Sequence, residues 1–344
     1  MRVLAWPRWL GNPYLPQLLA AMRRAGLDAW AGASLHLSAA RLRRGDWLHL
    51  HWPGGAIIHP WRPVYAARAA ALRLQLDHLR RRGVRVAWTA HNLLPHDDRH
   101  PDLGRAARRD LLARVDHVFL HFAAARQALA DAFGYAGPTT VVHHPHYLAD
   151  YPAPPSPTAA REALGLPAAG FVALNFGALR PYKGLGEVIR AFRQMAGPDD
   201  RLVLAGLPDG DISADLKLAA DDPRVVVHAR RIADADVPLY YAAADVAIVA
   251  HRAFFTSGSA LLALSMGCPL VGPPVHHLTE LAGEQRLVPC ELGPDGLAAG
   301  LLIARAAAPT VDRTAIRAWA AAHGTWDDAA ASIAAVFRSP PSTV

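Results

Sequence analysis

Lysine is almost missing from this chain of 344 residues: among 36 Lys+Arg, the lysines are Lys183 and Lys217 alone. Arginine holds nearly every other cationic position, so a site that keeps lysine calls for what lysine supplies, a compact ammonium with rotatable donors in place of a planar fork. Cysteine is as scarce. Cys268 and Cys290 have no Cys-x-x-Cys spacing, which excludes a disulfide framework and a thiolate zinc site and points to a reducing compartment. No apolar run approaches about 18 uncharged residues, so no transmembrane helix is expected. The first ten residues, interrupted by Pro7, have neither the apolar core nor the small-residue cleavage site of a secretory leader. The chain is expected in the cytoplasm, with any membrane contact peripheral.

No long acidic or basic tail is present. The net charge of +7 nonetheless favours anionic partners. Arg62, Arg68, Arg73, Arg80, Arg81 and Arg82, then Arg105, Arg108 and Arg109, recur at near-helical spacing among apolar residues. Such a face suits an anionic membrane surface on the inner side of the cell membrane, and equally an ordinary amphipathic helix. The aromatic–basic interleaving of single-strand nucleic-acid readers is missing, so nucleic acid is not expected as a partner.

At 52% hydrophobic residues, the chain can build two α/β cores at about 100–200 residues each. Short apolar runs at 3–6, 47–51, 84–90, 118–121 and 140–143 alternate with helical patterns near 14–25, 63–82 and 123–133. That alternation predicts parallel βαβ units. The proline cluster at 151–157 reads as a linker, and it places a boundary near residue 155. Beyond it the alternation restarts, with strands at 171–177, 201–206, 225–228, 246–250 and 269–272 and helices at 184–195 and 259–266. The expectation is two Rossmann-like doubly wound domains facing across a cleft, spanning 1–155 and 156–344, with the last helix packing back on the first. Ligands would bind at the carboxyl ends of the strands.

The run Phe176-Gly177-Ala178-Leu179-Arg180-Pro181-Tyr182-Lys183-Gly184 ends an apolar strand in two cations at the mouth of a helix, a grip for phosphate. Its plainer reading is a solvated cation in a first helical turn. A second anion site opens the next candidate helix, where Thr256, Ser257, Gly258 and Ser259 offer free amides and close approach; an ordinary N-cap is the alternative. Together, and with no metal motif nearby, they suggest a diphosphate leaving group stabilised by preorganised donors. Arg252, after the strand at 246–250, would assist the phosphate or the sugar.

The first half supplies histidines at strand ends. His49 and His51 share a face by the two-residue period, yet no third metal ligand is evident, so they read as core or substrate contacts and a histidine-based metal hydrolase stays a rival. Asp97 is the candidate general base toward a sugar hydroxyl, with His91 and His96 as competitors. His143, His144 and His146 cluster before the linker without an acidic or cysteine partner.

Taken together, Asn12-Pro13-Tyr14-Leu15, Leu48-His49-Leu50-His51-Trp52-Pro53, His91-Asn92-Leu93, Pro95-His96-Asp97, His144-Pro145-His146-Tyr147, Arg180-Pro181-Tyr182-Lys183-Gly184 and Ser257-Gly258-Ser259 resemble the GT-B glycosyltransferases, and most closely the bacterial GDP-mannose:glycolipid β-mannosyltransferases of xanthan-type exopolysaccharide assembly. The resemblance runs nearly end to end. It implies that the second domain holds the sugar nucleotide, GDP-mannose, through Arg180, Lys183 and 257–259. It implies that the first domain holds a glycolipid or polyprenyl-diphosphate-linked saccharide through Asn12, Tyr14, His49, His51, Trp52, Asn92 and His146. No metal and no bound cofactor are expected. Larger retaining GT-B families carry two glutamates eight apart around the last of these helices; their places here are Phe254 and Leu262, which agrees with an inverting transfer. A retaining transferase using another UDP- or GDP-sugar is the alternative. Pro145 stands where the family has glycine.

Overall fold

A computed structural model of the chain describes residues 1–8, 13–94, 98–251, 255–283 and 285–340. It divides into two compact units, Met1–Pro145 with Gly324–Val344, and His146–His323.

The first unit contains β1 (Arg2–Trp6), α1 (Tyr14–Arg24), β2 (Asp28–Ala31), α2 (Leu35–Ala39), β3 (Trp47–Leu50), α3 (Gly54–Ile57), α4 (Arg62–Arg81), β4 (Arg85–Thr89), α5 (Pro101–Leu112), β5 (His117–Leu120), α6 (Ala125–Phe133) and β6 (Thr139–Val141). Its six strands are parallel in the order β2-β1-β3-β4-β5-β6. Helices flank an all-parallel sheet, so its central strands are apolar on both faces; Val3, Leu4, Ala5, Trp47, Leu48, Val86 and Trp88 are fully buried. The chain leaves β1 toward β2 on one side and toward β3 on the other. This change of direction opens a crevice at the carboxyl ends of β1 and β3.

The second unit runs through α7 (Pro157–Ala163), β7 (Val172–Phe176), α8 (Leu185–Met195), β8 (Arg201–Ala205), α9 (Ser213–Ala220), β9 (Val225–His228), α10 (Val237–Ala243), β10 (Val246–Ile248), α11 (Gly258–Ser265), β11 (Leu270–Gly272), α12 (His276–Ala282), β12 (Leu287–Pro289), α13 (Pro294–Ala307) and α14 (Arg313–His323). The strand order is β12-β11-β10-β7-β8-β9, again all parallel. The switch point lies between β7 and β10. These are the two strands that lead into the candidate phosphate turns.

The sequence placed its boundary near residue 155, whereas the compact units part between Pro145 and His146. The proline-rich stretch lies inside the second unit. There Ser156 caps α7 by accepting from Ala159 N at 3.3 Å. Arg161 on α7 is buried, donates to the carbonyls of Ala243, Ala168 and Gly170, and pairs with Asp245 at 2.8 Å.

The final helix, α15 (Trp326–Arg338), belongs to the first unit. Thr325 and Asp328 form a reciprocal capping box that starts it. Phe337 is fully buried and stacks on Trp47 with ring centroids 4.5 Å apart. Trp47 Nε1 donates to Phe337 O at 3.1 Å, and Arg24 pairs with Asp327 at 2.7 Å.

Candidate active site

In the second unit, β7 ends at Phe176 and the chain turns through Gly177 (φ +100°) and a 3-10 turn at Pro181–Lys183 to Gly184 (φ +68°), the N-cap of α8. Both angles favour glycine. A Cβ on Gly184 would sit 3.0 Å from Ala250 O, and one on Gly177 would sit 3.2 Å from Lys183 Nζ. The turn is therefore packed against the end of β10, with Lys183 folded back beneath it. Lys183 is 6% exposed, and the one hydrogen bond its ammonium makes among the described residues is a long one to Phe176 O, 3.4 Å. An ammonium carries three donors, and burying one so poorly satisfied is costly. Burial, followed by the charge of Arg180, pushes its pKa down to about 8. A phosphate oxygen would remove that penalty.

Arg180 is placed differently. Its guanidinium reaches the loop after β8 and pairs with Asp209 through Nε at 2.8 Å and Nη2 at 2.5 Å. To meet a diphosphate it would have to leave that carboxylate.

Across the switch point, Ser257 caps α11. Its Oγ accepts from Ala260 N at 3.2 Å and lies 3.1 Å from Ser259 Oγ. Its amide donates to His277 Nε2 at 2.8 Å. The Ser257 hydroxyl therefore organises the turn, while the first-turn amides of Gly258 and Ser259 have no intrahelical acceptor, as at any helix start. Thr256 is half-buried in the same turn. A Cβ on Gly258 would lie 3.4 Å from Tyr147 Oη, and Tyr147 N donates to Ser265 Oγ at 3.1 Å. His146, beside it, accepts from Leu148 N at 3.2 Å. Arg252 lies outside the described residues. His251, just before it, meets the Tyr182 ring edge-on at 5.7 Å. Sequence reading missed His251 and His277, because single histidines beside a strand or within a short helix carry no spacing signal.

In the first unit, four adjacent strands each deliver a histidine just past their carboxyl ends: His51 after β3, His91 after β4, His121 after β5 and His144 after β6. All four are buried, as is His49 on β3. Tyr14, the first residue of α1, presents its ring edge-on to His91 at 4.7 Å, His144 at 4.9 Å and His121 at 5.6 Å. Trp52 stacks on His91 at 4.1 Å. His49 Nε2 lies 2.7 Å from Thr89 Oγ1, His51 Nδ1 lies 3.1 Å from His91 Nε2, and His121 Nδ1 donates to Val142 O at 2.8 Å. Burial, reinforced by neighbouring imidazoles, lowers the pKa of His49 to about 3 and those of His51 and His91 well below the ordinary value. Burial likewise lowers His121 to about 4. His49, His51, His91 and His121 are therefore neutral near pH 7.

Tyr14, His49 and His51, expected as substrate contacts, are at most 1% exposed. They form the floor of the crevice beneath the half-buried Trp52 and Asn92. Asn12, His96 and Asp97 lie outside the described residues. The next carboxylate, Asp98, accepts from Tyr65 Oη at 2.7 Å and from His100 N at 2.8 Å. Among the described residues no group of three or more His, Cys, Asp or Glu is arranged to hold a metal ion. His121 and Trp326, both against Tyr14, were not legible in advance.

Residues 170–304 match the family model for glycosyl transferases group 1. Over 277 residues the chain is 29% identical to a GDP-mannose:glycolipid 4-beta-D-mannosyltransferase of Xanthomonas campestris pv. campestris, covering 79% of this chain and 73% of that relative. Its fold is similar to sucrose-phosphate synthase from Thermosynechococcus elongatus, with a TM-score of 0.77 at 17% identity over 98% of both chains. It is also similar to Anabaena HepE in complex with UDP and glucose, with a TM-score of 0.72 at 17% identity over 98% of this chain and 99% of that one. With a group 1 domain over 170–304 and two parallel six-stranded sheets of the GT-B type, the chain is a glycosyltransferase.

Proposed function

We propose that the protein transfers mannose from GDP-mannose to a hydroxyl of a lipid-linked saccharide, in one inverting displacement that needs no metal. The observation that carries this reading is Lys183, a buried ammonium with unfilled donors at the switch point of the second sheet, across from the amide-bearing start of α11. As the bond between the sugar C1 and the phosphate oxygen breaks, negative charge grows on the departing diphosphate. Lys183 and the Gly258 and Ser259 amides stabilise that charge more than water can. The acceptor hydroxyl gives its proton to a base of the first unit, for which Asp97 is favoured, and its oxygen forms the new bond to C1. Leu262, 8% exposed on α11, stands where retaining relatives carry a glutamate, which supports inversion. The donor and glycolipid assignments rest on the similarity to the Xanthomonas enzyme.

The glycolipid reading also gives the arginine-rich helix α4 a role. Trp61 is 72% and Leu74 57% exposed, and the side chains of Arg68, Arg81 and Arg82 are exposed on the same helix and its end. These exposed apolar and cationic side chains suit peripheral contact with anionic lipid. No helix among the described residues is long and apolar enough to cross a membrane.

The test is transfer from GDP-mannose to a polyprenyl-diphosphate-linked saccharide, with the product anomer read by NMR. Lys183→Ala is expected to lower kcat by about 10²–10³-fold while the fold persists; parental turnover would remove the phosphate role. Asp97→Asn with unchanged turnover and pH profile would move the base elsewhere. A panel including UDP-glucose, read by thermal shift, checks the donor, because the true donor raises the midpoint most.

A further inference from the structure

His51 is wholly enclosed, so it cannot touch a substrate, yet it stands in hydrogen-bond contact with His91, which is 7% exposed just past the end of β4. The separation of His51 Nδ1 and His91 Nε2, 3.1 Å, requires that one of the two nitrogens carry a proton and the other a lone pair. The opposite nitrogen of His51, Nε2, is buried and has no hydrogen-bond partner among the described residues. Orphaned buried N–H groups are rarer than orphaned acceptors. The single proton of a neutral His51 therefore belongs on Nδ1, where it is donated to His91 Nε2. With that lone pair occupied, a neutral His91 carries its own proton on Nδ1. Trp52 stacked on the His91 ring at 4.1 Å and Tyr14 against it at 4.7 Å hold the ring plane.

We propose that His51 is a positioning residue that fixes His91 as its Nδ1–H tautomer, so that His91 offers substrate oxygen a donor and is not the base that takes the acceptor proton. The inference rests on the transferase reading for its consequence, though not for the tautomer itself. It turns the competition for the base toward Asp97, and it explains a fully buried imidazole at the switch point of the first sheet.

The tautomer is read directly by imidazole 15N and 13C NMR of the full chain, with His91 assigned through bonds. The expected result is a protonated Nδ1 and an unprotonated Nε2 at His91 near pH 7. His91 found as the Nε2–H tautomer in the parent protein overturns the proposal, whatever the variants do. His51→Phe should release His91 into a mixture of tautomers and lower GDP-mannose turnover by at least about tenfold, as losing a group that orients a working imidazole commonly does. His51→Asn, whose amide can donate from nearly the same place as Nδ1, should restore the tautomer and most of the turnover. Parental turnover in a folded His51→Phe protein would also overturn it. Should the tautomer be as expected while GDP-mannose is not turned over, the donor assignment fails and the His51–His91 assignment stands.

Discussion

Lys183 has a thermodynamic consequence that can be measured without an acceptor. In the free site its pKa is about 8, and a bound phosphate favours the charged form, raising the pKa in the complex. Donor affinity should therefore be flat below about pH 8 and fall roughly tenfold per pH unit above it, until the pKa of the complex is reached. Calorimetric titration of GDP-mannose between pH 7 and 9.5 checks this, and Lys183→Met should bind weakly with no such slope. A parent curve that stays level to pH 9.5 would mean that the ammonium does not meet the phosphate. Lys183 was legible because lysine is so scarce. The commitment of Arg180 to Asp209 was not, because an ion pair between loops 29 residues apart leaves no local pattern. His121 was hidden for another reason: a histidine ending a buried apolar strand looks like any core position until the neighbouring strands bring other rings against it.

Among the elements, α15 shows how far a segment can act from its place in the chain. Phe337 fills a pocket against Trp47, His49 and Phe119, with ring centroids at 4.5, 5.5 and 5.7 Å. Phe337→Ala would leave a cavity beneath β3 and should destabilise the first unit by about 3–5 kcal/mol, read as a lower urea midpoint in tryptophan fluorescence; a loss below about 1 kcal/mol would mean that the helix is dispensable there. The central strands β1, β3, β4, β5, β7 and β8 could be read from apolar runs, since both their faces are covered. The edge strands β2 and β12 could not. They are four and three residues long with mixed burial, too short for periodicity to separate from loop. Helix α11 carries little amphipathic pattern, since Ala260 through Ser265 are all buried; only its hydroxyl and glycine start marked it.

At the level of the whole molecule, the two units should answer acid differently. A group whose folded pKa lies below its unfolded value of about 6.5 and which is buried neutral costs stability once the unfolded chain can take a proton that the fold refuses. For His49, His51, His91 and His121 that loss begins below about pH 6.5 and continues toward the folded values, about 4 for His121 and about 3 for His49. At pH 4.5 His121 alone should cost on the order of 2–3 kcal/mol. Every tryptophan except Trp319 lies in the first unit, so fluorescence follows that unit. Acid unfolding seen by tryptophan should precede loss of far-UV ellipticity; stability unchanged from pH 7 to 4.5 would refute the buried neutral cluster.

The amino-acid order by itself determined the α/β class, the doubling of a parallel-sheet plan and the two glycine-bearing turns that open α8 and α11. Each of these is written locally, in the alternation of apolar runs with helical periods and in small residues placed where a helix starts. Tertiary structure alone decided which cation remains without a carboxylate and which histidines share a floor with Tyr14. Those outcomes depend on side chains distant in the chain meeting where strands lie side by side, and no short-range pattern records such meetings.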